Sequence, residues 1–131
     1  MLRVTTLLPA EVEEIVAETI GCCLRVHRAL GPGLLESICA RAVCIELAHS
    51  GLSFEREKEI SLHYRGELVG QHRLDLVVDG RVLVELKSVD RLAPVHHAQV
   101  LSYLRASGIR VALLVNFNVP MLKQGLRRIV L

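Results

Sequence analysis

At 131 residues the chain is long enough for one domain with a true core, and a single domain is read over residues 1–131. Apolar residues make up 51% but aromatic ones only 3%, so Leu, Val, Ile and Ala must fill that core. A net charge of +2 is too weak to announce nucleic-acid binding through bulk electrostatics, so any such binding would be local, and no window approaches the ~20 uninterrupted apolar residues of a membrane span.

The first apolar run is short and leads into an acidic helix, which does not read as a signal peptide. Pro9 opens that helix, predicted to reach Leu30. Val12, Ile15, Val16, Thr19, Ile20, Cys23 and Val26 keep a 3.6-residue period, with Glu11, Glu13 and Glu14 at the positive end. Gly31-Pro32-Gly33 stops it. A second helix over about Leu34 to His49 carries Leu35, Ile38, Ala42 and Ile45 as its expected apolar stripe, and Gly51 suits the position after its end. Glu36 falls in its first turn, where the plainest role is a charge complementing the helix dipole. The four cysteines, Cys22, Cys23, Cys39 and Cys44, all fall on these helices without a C-x-x-C pair. They read as reduced core residues of a cytoplasmic protein.

Phe54 to Tyr64 turns strand-like, Arg65-Gly66 is a turn, and Glu67 to Val78 is the next strand. Arg81 to Lys87 completes a three-stranded meander. Ser88 to Pro94 is a loop, Val95 to Ser107 a helix ended by Gly108, and Ile109 to Phe117 a buried strand. That strand is expected to run parallel to a neighbour, because a helix precedes it. Leu126 to Leu131 adds an edge strand. The order ααβββαβ(β) describes an α/β sandwich around a mixed central sheet flanked by helices.

The meander poses a chemical question. Leu74, Leu76 and Val78 are expected on one face of a strand, with Val82, Val84 and Leu86 on the matching face of the next. A two-residue turn at Asp79-Gly80 would point these two faces in opposite directions. A three-residue loop, Asp79 to Arg81, pairs Val78 with Val82, Leu76 with Val84 and Leu74 with Leu86. It also sets Asp75 across from Glu85, Cβ atoms about 5 Å apart, with Lys87 two residues further on. Gly80 suits the left-handed position of such a loop. Two carboxylates and an ammonium on an apolar hairpin are costly unless they pair or bind something. They form either a surface salt bridge or a set of oxygen ligands for Mg²⁺ or Mn²⁺, with the lysine beside them orienting a water or offsetting negative charge.

The arrangement of an Asp, a gap and Glu-x-Lys on adjacent strands resembles the PD-(D/E)XK nuclease superfamily. Longer segments look like the bacterial GxxExxY protein family within it: Val26 to Glu36, Arg73-Leu74-Asp75-Leu76, Val84-Glu85-Leu86-Lys87, His96 with Gln99 and Tyr103, and Leu114-Val115-Asn116-Phe117. The resemblance implies a restriction-endonuclease-like fold and a Mg²⁺-dependent nuclease acting on nucleic acid, DNA first. It implies Asp75 and Glu85 as metal ligands, joined by the helix residue Glu36, and Lys87 as the catalytic lysine. Gln99 and Tyr103 match a Gln-x-x-x-Tyr motif, and four residues apart on a helix they share a face. Cys39 stands where the family pattern has tyrosine, which alters packing behind Glu36 without removing a ligand.

The histidines read mainly as solvated or structural, with His27 and His96 at family positions and His96 expected near the sheet edge that holds Lys87. Lys58, Arg65, Arg73, Arg105, Arg127 and Arg128 could touch a phosphate backbone, although scattered basic residues usually belong to plain surface. Two further readings stand beside the nuclease. One is a non-catalytic module binding nucleic acid or a protein on the same fold. The other is a structural homodimer, suggested by the apolar bulk and by Ile129-Val130-Leu131.

Overall fold

The computed structural model describes residues 8–131, so the signal-peptide expectation, which concerns the first residues, lies outside the described part. Helix α1 spans Ala10–Leu30 and α2 spans Glu36–His49. Strands β1 (Phe54–Tyr64), β2 (Glu67–Val78) and β3 (Val82–Lys87) follow. Then come α3 (Pro94–Ser107), β4 (Val111–Asn116) and β5 (Leu126–Val130), the last preceded by a short 3₁₀ turn at Leu122–Gln124. The predicted elements are all present, with their ends moved by two residues or fewer.

The five strands form one sheet in chain order. All neighbours are antiparallel except β3 and β4, which are parallel because α3 carries the chain back across the sheet between them. Val82 pairs with Val111 and Lys87 with Asn116 along that ladder. β5 closes the edge beside β4, as expected.

Helices cover both faces. On one side Val16, Cys23 and Val26 of α1 and Val43 and Leu47 of α2 pack on Leu76, Val78, Val82, Val84 and Leu86. On the other, Val100 and Leu104 of α3 pack on Leu74, Val77, Leu83, Ala112 and Leu114. β3 and β4 are therefore buried on both faces, and their continuous Val/Leu runs follow from that position. The four cysteines are buried and unpaired.

The expected stripe of α2 is corrected by the packing. Leu35, Ile38 and Ile45 are 70%, 45% and 53% exposed, while Cys39, Val43, Cys44 and Leu47 are buried. The helix is apolar nearly all round, so its own period does not choose a face. The compact side chains Cys39, Val43 and Cys44 allow close approach of α2 to its neighbours, and they face inward.

The β2–β3 connection follows the register argument. Val78 pairs with Val82, Val77 with Leu83 and Leu76 with Val84, leaving Asp79, Gly80 and Arg81 as the loop. Gly80 takes the left-handed conformation at φ 66°, and so does Asp79 at φ 52°. Asp tolerates this conformation better than most residues, and here its backbone N–H donates to the Ser53 carbonyl at 2.8 Å.

Candidate active site

The site lies where β2 and β3 part. One step beyond the Leu76–Val84 pair, Asp75 faces Glu85, and side chains take over from the ladder. The Asp75 backbone N–H donates to Glu85 Oε1 at 3.4 Å, and the Leu86 backbone N–H donates to Asp75 Oδ2 at 2.8 Å. The expected Leu74–Leu86 pair is absent from the ladder. Nor do Leu74, Leu76 and Val78 share a face: Leu76 and Val78 pack under α1 and α2, whereas Leu74 packs under α3. The alternation breaks at Asp75. Across the sheet, Glu57 of β1 lies between the Arg56–Leu76 and Lys58–Leu74 pairs with φ at 50°. This local irregularity gives Asp75 a way toward α2, where it lines a cleft of about 150 Å³ with Glu36, Ser37, Ala40, Arg56, Glu57 and Leu86.

Glu36 and Asp75 are far apart in sequence and share that cleft. The Gly31-Pro32-Gly33 turn delivers the start of α2 there, and Ser88 Oγ ties the turn to the end of β3 by donating to the Leu34 carbonyl at 2.7 Å. Partial burial, followed by the Asp75 charge, raises the Glu36 pKa, against the pull of Lys87 and the Ser88 backbone N–H. Lys87 is half-buried at the end of β3. Cys39, one turn after Glu36, is buried, and its thiol is pushed up by that burial and by the Glu36 charge.

Glu85 is 3% exposed. Burial pushes its pKa up to about 9, and the Asp75 charge and a hydrogen bond shared with Asp75 add to this, while the Asp75 backbone N–H and Lys87 oppose it. From the α3 side Tyr103 comes to the same place: burial raises its pKa first, then the charges of Glu85 and Asp75. Gln99, one turn earlier, has an exposed side chain. His72 stacks on Tyr103 with ring centroids 3.9 Å apart and 11° between planes. Burial lowers the His72 pKa, with Asp75 pulling up and Lys87 down.

Other candidates serve the scaffold. His27 is buried, with Nε2 at 2.7 Å from the Val119 carbonyl, where it must donate. His96 Nδ1 accepts the Ala93 backbone N–H at 2.9 Å and so caps the start of its own helix. Lys58 pairs with Glu55, and Arg128 makes a two-pronged bond to Glu13 at 2.6 and 2.9 Å. Arg127 donates to the Gln124 and Leu126 carbonyls. Residues that sequence reasoning gave no role include Ser88, His72 and Asn116. Asn116 is buried; its Oδ1 accepts from Val89 and Asn118 N–H at 3.1 and 3.2 Å, and its Nδ2 donates to the Val89 carbonyl at 2.9 Å. It clamps the loop that leaves β3. For His72 one signal existed, since it is two residues from Leu74 and so on the α3 face, but nothing local links it to Tyr103.

Asp75, Glu85 and the nearby Glu36 offer hard oxygen donors; burial and the Asp75 charge keep a proton on Glu85 near neutral pH, and a divalent cation would take that proton's place. Among the described residues no group of three or more His, Cys, Asp or Glu side chains is placed to hold a metal ion as it stands. That donor set fits Mg²⁺ or Mn²⁺, which are content with one or two carboxylates and fill the remaining positions with water and phosphate oxygens. Among the described residues no helix is long and apolar enough to cross a membrane. No curated protein and no solved structure matches the chain. The family model of the PD-(D/E)XK nuclease superfamily matches residues 13–129. With nearly the whole chain matched, and with Asp75, Glu85 and Lys87 at the parting of two strands in a mixed sheet, the protein belongs to the PD-(D/E)XK nuclease superfamily.

Proposed function

We propose that this protein is a metal-dependent nuclease that hydrolyses phosphodiester bonds of nucleic acid, DNA first, and that it resembles GxxExxY proteins in its motifs. The observation that carries the reading is the meeting of Asp75 and a nearly buried Glu85 at the point where β2 and β3 separate. Asp75 and Glu85, with Glu36 from the start of α2, would hold Mg²⁺ or Mn²⁺. When bound, such an ion polarises the phosphate and lowers the pKa of a coordinated water.

The chain's own groups do the rest. Lys87 offsets negative charge developing on the phosphate and orients the attacking water by donating to it. Tyr103, kept protonated by its surroundings, offers a hydroxyl donor on the α3 side. Gln99, on the preceding turn, is free to meet substrate from the same helix. Ser88 and Asn116 hold the segment that follows Lys87 in place, Ser88 against the turn before α2 and Asn116 through Val89, which positions the ligands without contact to substrate.

A nicking assay on plasmid, single-stranded DNA and RNA with Mn²⁺ and with EDTA tests this, using Asp75→Asn as the control. Cleavage by wild type alone, only with metal, is the expected result. Absence of any cut together with absence of a metal shift in thermal unfolding overturns it in favour of a non-catalytic binding module.

One observation supports self-association besides. The exposed Leu35, Ile38 and Ile45 lie along one side of α2, an apolar strip that a homodimer would cover. Sedimentation velocity of wild type and Ile38→Ser/Ile45→Ser tests it. The buried free thiols favour a reducing, cytoplasmic setting.

A further inference from the structure

The α3 side of the site contains a group that no role above uses. His72 lies three residues before Asp75 on β2, its ring fixed against Tyr103. Its Nε2 is closed off from solvent and, among the described residues, has no hydrogen-bond partner. An unpartnered buried polar atom is destabilising, and native folds contain few of them. Stability does not account for this one. A phenyl ring at position 72 would keep the stack on Tyr103 and leave no orphaned nitrogen.

The surroundings narrow down the missing partner. Asp75 and Lys87 are the charged groups that His72 feels, and Tyr103 beneath it feels Glu85 and Asp75. The stack on Tyr103 fixes the imidazole on the α3 side of the sheet, where it lines a cleft with Glu59, Gln71 and Arg73, three residues before Asp75 on the same strand. Neither carboxylate bonds to it, and each accepts a backbone N–H of the opposite strand instead. A ring nitrogen bearing its proton beside this cluster matches an anionic oxygen brought in from outside.

We propose that His72 is a substrate-contacting residue, its Nε2–H held by the Tyr103 stack for donation to a phosphate oxygen of bound nucleic acid. This rests on the reading of the site as a phosphodiester-binding centre and adds to it a contact that the Asp75, Glu85 and Lys87 motif does not contain. Because the nitrogen is covered in the free protein, binding displaces whatever side chain covers it. The stack keeps the ring oriented while that happens.

The test is His72→Phe, which keeps the ring and removes the nitrogen. Its melting temperature should equal or exceed that of wild type. Binding of fluorescein-labelled DNA and RNA oligonucleotides in Ca²⁺, and cleavage in Mn²⁺, should each weaken about tenfold or more, as expected for a lost charge-assisted hydrogen bond. In wild type, the ¹⁵N resonance of His72 Nε2 should shift when oligonucleotide is added. If His72→Phe binds and cuts as well as wild type, the proposal falls and the nuclease reading stands. If wild type neither binds nor cuts, both fall. If His72→Phe does not fold, the resonance decides: an unmoved Nε2 signal at saturating oligonucleotide overturns the contact.

Discussion

Asp75 and Glu85 meet one step beyond the last pair of the β2–β3 ladder, and each carboxylate takes a backbone N–H from the opposite strand. Glu85 Oε1 accepts from Asp75 N–H at 3.4 Å, and Asp75 Oδ2 accepts from Leu86 N–H at 2.8 Å. The strands thus separate without leaving these donors bare, and the carboxylates that hold them apart are the proposed ligands. Their mutual repulsion has measurable consequences.

A divalent ion would offset that repulsion, so Mg²⁺ or Mn²⁺ should raise the melting temperature. By linkage the gain is about 2.7 kcal/mol at an ion concentration 100 times Kd. Asp75→Asn and Glu85→Gln should lose most of it. Thermal unfolding of the three proteins with EDTA and with Mn²⁺ is the measurement, and equal metal shifts in all three would exclude this pair as the binding site.

The metal-free protein should lose stability as pH rises. Glu85 has a folded pKa of about 9 against an ordinary value of 4.5. Between those values the folded state retains a proton that the unfolded state has released, so stability falls across this window and levels off above it. The slope is of order 1 kcal/mol per pH unit at its steepest. Urea unfolding in EDTA from pH 5 to pH 9 should show it, and Glu85→Gln should flatten the curve.

Lys87→Ala should separate binding from chemistry. It leaves the carboxylates in place and removes a neighbouring positive charge, so metal affinity should stay the same or rise. Cleavage should drop about 100-fold or more, as for removal of a preorganised charge-stabilising donor. Isothermal titration with Mn²⁺ beside the nicking assay distinguishes this from a general loss of structure.

The inward face of α2 is testable by truncation. Leu47 is fully buried and Ile45 is 53% exposed. Leu47→Ala should cost about 2–5 kcal/mol, whereas Ile45→Ala should stay within about 0.5 kcal/mol in the monomer. Urea midpoints with unchanged m-values would establish the difference, and the opposite ranking would return the helix to the orientation expected from its periodicity.

Gly125 should tolerate no side chain. A Cβ there would collide with the Asn116 carbonyl oxygen and crowd the Asn116 Cβ and Val119 Cγ2 at 3.1 Å each. Gly125→Ala should therefore cost about 3 kcal/mol or more and loosen the Asn116 clamp on Val89. Hydrogen exchange at the Val89 amide checks the second effect.

Element order and the β2–β3 register were determined by the sequence alone, because both depend on local rules. Alternation has a period of two, so only an odd loop aligns Leu76 and Val78 with Val84 and Val82, and that register puts Asp75 across from Glu85. Tertiary structure decided what local rules leave degenerate. A helix apolar on several sides takes its face from its neighbours, and α2 buries Cys39, Val43 and Leu47 instead of Leu35, Ile38 and Ile45. The break in alternation at Asp75 arises from side chains replacing ladder bonds, an exchange between two strands that neither strand encodes by its period. The His72–Tyr103 stack and the Glu36–Asp75 cleft join residues distant in the chain. Their meeting depends on the packing of α2 and α3 on opposite faces of the sheet, where burial energy, not spacing, chooses the contacts.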